Sequence, residues 1–359
     1  MRKLVAFAAA GALALTLTAC GQSGGATTSA PTGGEVKKGT IGVLMPTKTS
    51  ERWIKDGDYL KQTLEADGYT VELQYANDDI PTQVTQLSSM VTKQVQMLVV
   101  ASIDGVALKG GLKEAKEAGI PVIAYDRLLR ETDAVSYYAT FDNFKVGVLQ
   151  GSSLIEGLEA SGAPKPWNVE LFAGSPDDNN ATFFFKGAMS VLQPKIDDGT
   201  LKVLSGQTSF EQAVTQGWKA ENAQRRADTL LTGSYSSESL DGVLSPNDTL
   251  ARAVLTSVKA AGKELPVVTG QDSEVESVKS IMAGEQYSTI NKDTRKLVEH
   301  AITMVKDIQA GKTPEINDDK SYNNTVKTVP AYLLDPVIVT QENVKTAYVD
   351  DPVLGPITK

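Results

Sequence analysis

The chain of 359 residues carries 44 Asp and Glu against 35 Lys and Arg, a net charge of -9 with a pI near 4.9. Nucleic acid and anionic lipid surfaces both require a basic face, so neither is expected as a partner. The one cysteine, Cys20, excludes disulfides within the chain and CxxC redox or zinc sites, and no P-loop or metal-ligand cluster occurs, so no cofactor or metal is expected.

Met1-Arg2-Lys3 is basic, and the apolar run Leu4 to Leu15 is shorter than the roughly 20 residues a bilayer demands. Leu17-Thr18-Ala19-Cys20 resembles the bacterial lipobox, in which the signal is cut before a cysteine that then carries a diacylglyceryl anchor. A signal peptide over residues 1–19 and lipidation at Cys20 follow as expectations; the alternative is an ordinary secretory signal with an incidental cysteine. Residues 20–37 contain GQSGGATTSAPTGG, too poor in apolar groups to offset ordering entropy, which predicts a flexible tether. About 320 residues follow, enough for two hydrophobic cores and so for two domains.

From Thr40 short β-branched runs alternate with amphipathic stretches. Strands are predicted at Thr40–Met45, Thr70–Tyr75, Met97–Ala101, Pro121–Tyr125 and Val135–Thr140, with helices at Glu51–Ala66, Pro81–Lys93 and Val106–Ala118. The rhythm restarts with helices at Phe144–Leu158, Phe184–Leu192, Lys219–Leu231 and Thr249–Ala261, and strands at Asn168–Phe172, Leu201–Ser205, Gly242–Ser245 and Pro266–Gly270. Helices at Val275–Ala283 and Thr294–Ala310 flank a strand at Gln286–Ile290, and Ser273 with Glu276 has capping-box spacing, predicting a helix start just after Asp272. Such alternation implies βαβ units, parallel sheets and right-handed crossovers, hence two doubly wound α/β halves.

Ligands of open α/β sheets bind at the carboxyl ends of the strands, and six strands here end in polar residues. Met45 leads to Arg52 and Trp53, and Tyr125 to Asp126 and Arg127. Phe172 leads to Asp177, Asp178 and Asn180, Leu244 to Asn247, Val268 to Asp272, and Ile290 to Lys292. Taken singly, an Asx residue is as readily a helix cap or turn former; caps, however, do not call for Arg52, Arg127 and Lys292. An ionised Asp accepts hydrogen bonds and Arg donates them, so Asp126 beside Arg127 suits a vicinal diol, although a surface ion pair is the plainer alternative. Trp53 and Trp218 offer aromatic planes for the C–H face of a pyranose, or are core residues. His300 falls in a helix beside Leu297, Ala301 and Met304, where a structural role is expected.

The ordered set Glu51-Arg52-Trp53, Tyr125-Asp126-Arg127, Phe141-Asp142-Asn143, Gly174 to Asn180, Asn247-Asp248 and Gly270-Gln271-Asp272 resembles the substrate-binding proteins of bacterial sugar ABC transporters. Within that family it is similar to the xylose-binding members and to the broad-specificity aldose receptors. The resemblance implies a periplasmic binding protein type 1 fold, two Rossmann-like domains joined by three hinge strands near Asn143, Lys292–Asp293 and Leu333. It implies lobes of residues 38–143 plus 293–333 and 144–292 plus 334–359. It also implies a pocket of Arg52, Trp53, Asp126, Arg127, Asp178, Asn180, Trp218, Asn247, Asp272 and Lys292.

The function so expected is that of a lipid-anchored, monomeric receptor on the outer face of the cytoplasmic membrane. It would bind an aldopyranose of the xylose, glucose, galactose or arabinose type and deliver it to permease subunits with a separate ATPase. The alternatives are a sensor presenting the sugar to a membrane kinase or chemoreceptor, and a glycosidase using paired carboxylates such as Asp126 with Asp272 or Asp177 with Asp178.

Overall fold

The run Thr40–Met45 (β1) is almost unbroken in apolar residues, as befits a parallel strand covered on both faces. The computed structural model describes residues 38–359; the expected signal peptide, the Cys20 anchor and the tether lie outside the described residues. With β1, the strands Thr70–Tyr75 (β2), Met97–Val100 (β3), Val122–Tyr125 (β4) and Val135–Phe141 (β5) build the first sheet. The strands of the second are Trp167–Leu171 (β6), Leu201–Lys202 (β7), Gly242–Leu244 (β8) and Val267–Val268 (β9). Ser288–Asn291 (β10), Ala331–Leu334 (β11) and Val337–Thr340 (β12) complete the set.

The first sheet has the order β11-β5-β4-β3-β1-β2 and the second β7-β6-β8-β9, with every pairing parallel. Alternate side chains of one strand feed opposite cores. Ile41, Val43 and Met45 pack with Leu60, Leu64 and Leu297 from the helices Glu51–Ala66 and Thr294–Gln309, whereas Leu44 packs with Leu87, Met90 and Leu112 on the other face. That two-residue alternation between helical layers is what double winding requires. The second sheet is covered in the same way, by the cores around Val243 and Val254 and around Val169 and Leu192.

The chain passes between the first sheet and the remainder at three places: from β5 into the helix Asn143–Ser161, from β10 into Thr294–Gln309, and from β11 into β12. The helices Asn143–Ser161 and Asn179–Asp197 touch almost backbone to backbone, because a Cβ on Gly187 would lie 2.9 Å from Val148 N.

Three local expectations are corrected. β10 does not join a parallel sheet; it pairs antiparallel with β12, the β-branched run Val337–Thr340, which is not among the predicted strands. Ser273 does not cap a helix: the helix is Val275–Met282 with Glu274 at its N-cap, and Ser273, with φ of 52°, accepts at its Oγ from Tyr348 Oη at 2.6 Å. The helix expected from Val106 begins at Lys109, since Asp104 Oδ1 accepts from Val106 N and Ala107 N and holds that stretch as a turn.

Candidate ligand-binding site

The loops that follow β1, β4, β6, β8, β9 and β10 enclose a cavity of about 510 Å³. All ten residues expected at a pocket line it: Arg52, Trp53, Asp126, Arg127, Asp178, Asn180, Trp218, Asn247, Asp272 and Lys292.

Asp126 sits at its centre, one residue past β4. Its backbone is left-handed, with φ of 62°, and its carbonyl accepts from Tyr138 Oη at 2.6 Å, Asn180 Nδ2 at 2.8 Å and Thr140 Oγ1 at 3.0 Å. Three donors on one carbonyl fix a conformation that an Asp adopts at a cost. The side chain is thereby aimed at the Arg52 guanidinium, with which it forms an ion pair. Burial alone would raise the Asp126 carboxyl, but Arg52, Lys292 and Arg127 outweigh it and hold the group below the ordinary carboxylate value.

Arg52, in the first turn of Glu51–Ala66, is the hub of this network. It faces Asp56 at 3.5 Å and Asp272 at 3.8 Å as well as Asp126, and burial notwithstanding, those three carboxylates raise its pKa. Tyr125 Oη donates to Asp56 Oδ2 at 2.8 Å and braces the network from β4. Lys292 Nζ lies 2.8 Å from Asp272 Oδ1, and Asp272 is also left-handed, with φ of 90°.

Further connections join the first sheet to the second across the cavity. Arg127 Nε pairs with Asp178 Oδ2 at 3.0 Å, while Asp178 also caps the helix Asn179–Asp197. Burial raises the Asp178 carboxyl, with Arg127 opposing. Asn180 donates to Asp126 O and accepts from Tyr138 Oη at 3.1 Å and Asn143 Nδ2 at 3.0 Å, so both ends of its amide are engaged. Asn247 reaches the wall as the N-cap of Asp248–Ala260, accepting from Leu250 N at 3.0 Å. Asp178 and Asn247 are therefore caps and lining residues at once.

Trp53 is buried, with the Arg52 guanidinium 4.5 Å and that of Arg127 5.3 Å from its ring. It is core and wall together, and it orients the two cations by cation–π attraction. Trp218 is half-buried, at the end of the 3₁₀ turn Gln216–Trp218. Phe184 supplies a third aromatic, with Lys292 Nζ 5.5 Å from its centroid. Inside a helix it reads as an ordinary core residue, so no sequence signal marks it. Gln271 also lines the cavity; it is 1% exposed and its Oε1 has no partner in the protein. It stands beside Asp272 in the strand-end motif, and that adjacency is the signal that could have found it. Lys48 turns away and lies over Tyr75, 4.9 Å from its ring. His300 stacks on Tyr332 at 3.5 Å, away from the cavity.

Buried carboxylates that accept, guanidinium and ammonium groups that donate, and aromatic faces between them suit an uncharged polyhydroxylated ring. Residues 41–313 match the model of the periplasmic binding protein domain. The chain belongs to that family. This binding protein is 53% identical over 318 residues to the multiple sugar-binding periplasmic receptor of Rhizobium radiobacter, covering 87% of this chain and 90% of the relative. It is 36% identical over 313 residues to the D-xylose-binding periplasmic protein of Haemophilus influenzae, covering 87% and 89%. A crystal structure of an ABC transporter solute binding protein from Clostridium phytofermentans with bound β-D-glucose superposes with a TM-score of 0.84 at 45% identity, covering 87% of this chain and 97% of that one. The two-sheet architecture is the type 1 periplasmic binding protein fold.

Proposed function

We propose that this binding protein is the extracytoplasmic receptor of an ABC importer for a neutral aldopyranose of the glucose or xylose type. The observation that carries the reading is the convergence of Asp126, Arg127, Asp178, Asn180, Asp272 and Lys292 with two tryptophans on one cavity between two parallel sheets. The R. radiobacter relative is named for binding multiple sugars and the C. phytofermentans protein holds β-D-glucose.

In this reading the lobes are residues 38–143 plus 293–333 and 144–292 plus 334–359, and they close about the three chain crossings. Sugar contacts to both walls exist only when the lobes are together, so the ligand shifts the equilibrium toward the form that the permease recognises. A micromolar dissociation constant, about 8 kcal/mol, is within reach of several charge-assisted hydrogen bonds and stacked faces.

The protein works as a monomer, tethered to the outer face of the cytoplasmic membrane through a lipid on Cys20. Metabolic labelling with a fatty acid tests the anchor: label on the wild type and none on Cys20→Ser is the expected result. A general-acid role for Asp126 has no place in this reading, because a carboxylate held ionised by Arg52 and Lys292 accepts protons poorly and donates none. The test of the function is a fluorescence titration of the form beginning after Cys20 with xylose, glucose, galactose, arabinose and ribose. Saturable binding of at least one aldose is expected, and turnover of an aryl glycoside abolished by Asp126→Asn would overturn the reading.

A further inference from the structure

Gly174 follows β6 by three residues, in a segment tied to a second stretch of chain. Ala173 N donates to Ala213 O at 2.8 Å, Thr215 N donates to Gly174 O at 3.2 Å, and Gly217 N donates to Ser175 Oγ at 2.7 Å. The stretch so pinned ends in two consecutive left-handed residues, Gly217 with φ of 67° and Trp218 with φ of 55°. A tryptophan in that region is strained and persists only where its surroundings dictate it.

The surroundings act through Gly174. A Cβ built there would lie 2.6 Å from Trp218 Cζ3 and closer still to Cη2 and Cζ2. Near-equal approach to three consecutive ring atoms puts the absent side chain over the face of the six-membered ring, so that ring rests on the Gly174 backbone. Trp218 also packs against the cluster of Val146, Phe184 and Ile290 and against the core around Phe172 and Ala223, and it borders the cavity. An atom added at Gly174 displaces an indole that lines the ligand's space.

We propose that Gly174 is the positioning residue that sets where the Trp218 indole stands and hence the width of the ligand seat. This rests on the reading of the cavity as an aldose site. A glycine here is required by the close approach of a ring to backbone, and not by its own backbone angle, since Gly174 is not among the positive-φ glycines.

The test compares wild type, Gly174→Ala, Trp218→Phe and the double variant by calorimetry with D-glucose. A phenyl ring is too short to reach the added methyl, so the two changes must couple. The expected result is a tenfold or greater loss of affinity in Gly174→Ala, with the double variant within twofold of Trp218→Phe. An additional tenfold loss in the double variant, or no loss in Gly174→Ala, would overturn the proposal. If Gly174→Ala fails to fold, a folded double variant supports it and an unfolded one refutes it. If the wild type binds no aldose, the functional reading fails by itself. The near-ultraviolet dichroism then decides about Gly174: a change between wild type and Gly174→Ala that is absent in the Trp218→Phe background upholds it, and identical changes in both reject it.

Discussion

Asp126 shows how a single residue is prepared for recognition. Its carbonyl takes three donors and its carboxylate faces Arg52, so removing the side chain takes one of three carboxylates from a buried guanidinium and strands the sugar's donors. Asp126→Ala is expected to weaken aldose binding by more than about 2 kcal/mol. Calorimetry checks this, and a loss below tenfold would remove Asp126 from the pocket. The acid and base at the end of β4 are legible in the sequence because five other strands also end in polar residues; alone, the pair reads as readily as a surface ion pair. Phe184 and Gly174 are not legible, because a helical phenylalanine and a loop glycine look the same whether they line a cavity, carry an indole or fill space.

At the scale of elements, one amide holds the site together. Asn180, in the first turn of Asn179–Asp197, reaches Asp126 O on one sheet's side while accepting from Tyr138 on β5 and from Asn143 at the first chain crossing. Asn180→Ala removes three buried hydrogen bonds, each worth about 0.5–1.5 kcal/mol. The expected outcome is a lower melting temperature for the ligand-free protein together with a tenfold or greater loss of glucose affinity. Unchanged affinity would show that the amide serves the fold alone. The longer strands and helices before residue 270 are readable from their periodicity, since each buries a continuous stripe, whereas the one-turn helix Phe210–Ala213 is too short to carry a period. β10 is a correctly placed strand in the wrong sheet: its apolar run specifies extended backbone, while its antiparallel partner β12 lies about fifty residues on, beyond the reach of a local pattern. Ser273 fits the capping spacing, but Tyr348 claims its hydroxyl, a tertiary contact that no local reading contains.

For the whole molecule, acidity tests the electrostatic balance. Burial and the neighbouring Glu274 push the Asp248 carboxyl well above its ordinary value, although Gln286, Thr289 and the Glu274 N–H all donate to it. Asp178 is raised by burial in the same direction. A carboxyl raised in the folded state costs stability while it is ionised, and that cost is relieved as pH falls through its folded value. Asp126 has the opposite sign: its stabilising contribution is present above the unfolded value of about 3.9 and is lost as pH falls through its depressed folded value. The melting temperature of the ligand-free protein should therefore rise as pH is lowered from neutrality through the raised carboxyls, and fall below about pH 4, where Asp126 loses its contribution. Falling net charge also favours compactness, so the diagnostic comparison is Asp248→Asn, in which the acid-side rise should be smaller; an equal rise in both proteins would exclude Asp248 as its source. The central claim is that an aldopyranose occupies the cavity between the two sheets, and a crystal structure of the form beginning after Cys20, grown with D-glucose, tests it most directly. A pyranose with hydroxyls in hydrogen-bond reach of Asp126 and Arg127 and a C–H face against an indole is expected. A cavity holding only solvent at saturating glucose, or sugar bound elsewhere, would contradict it.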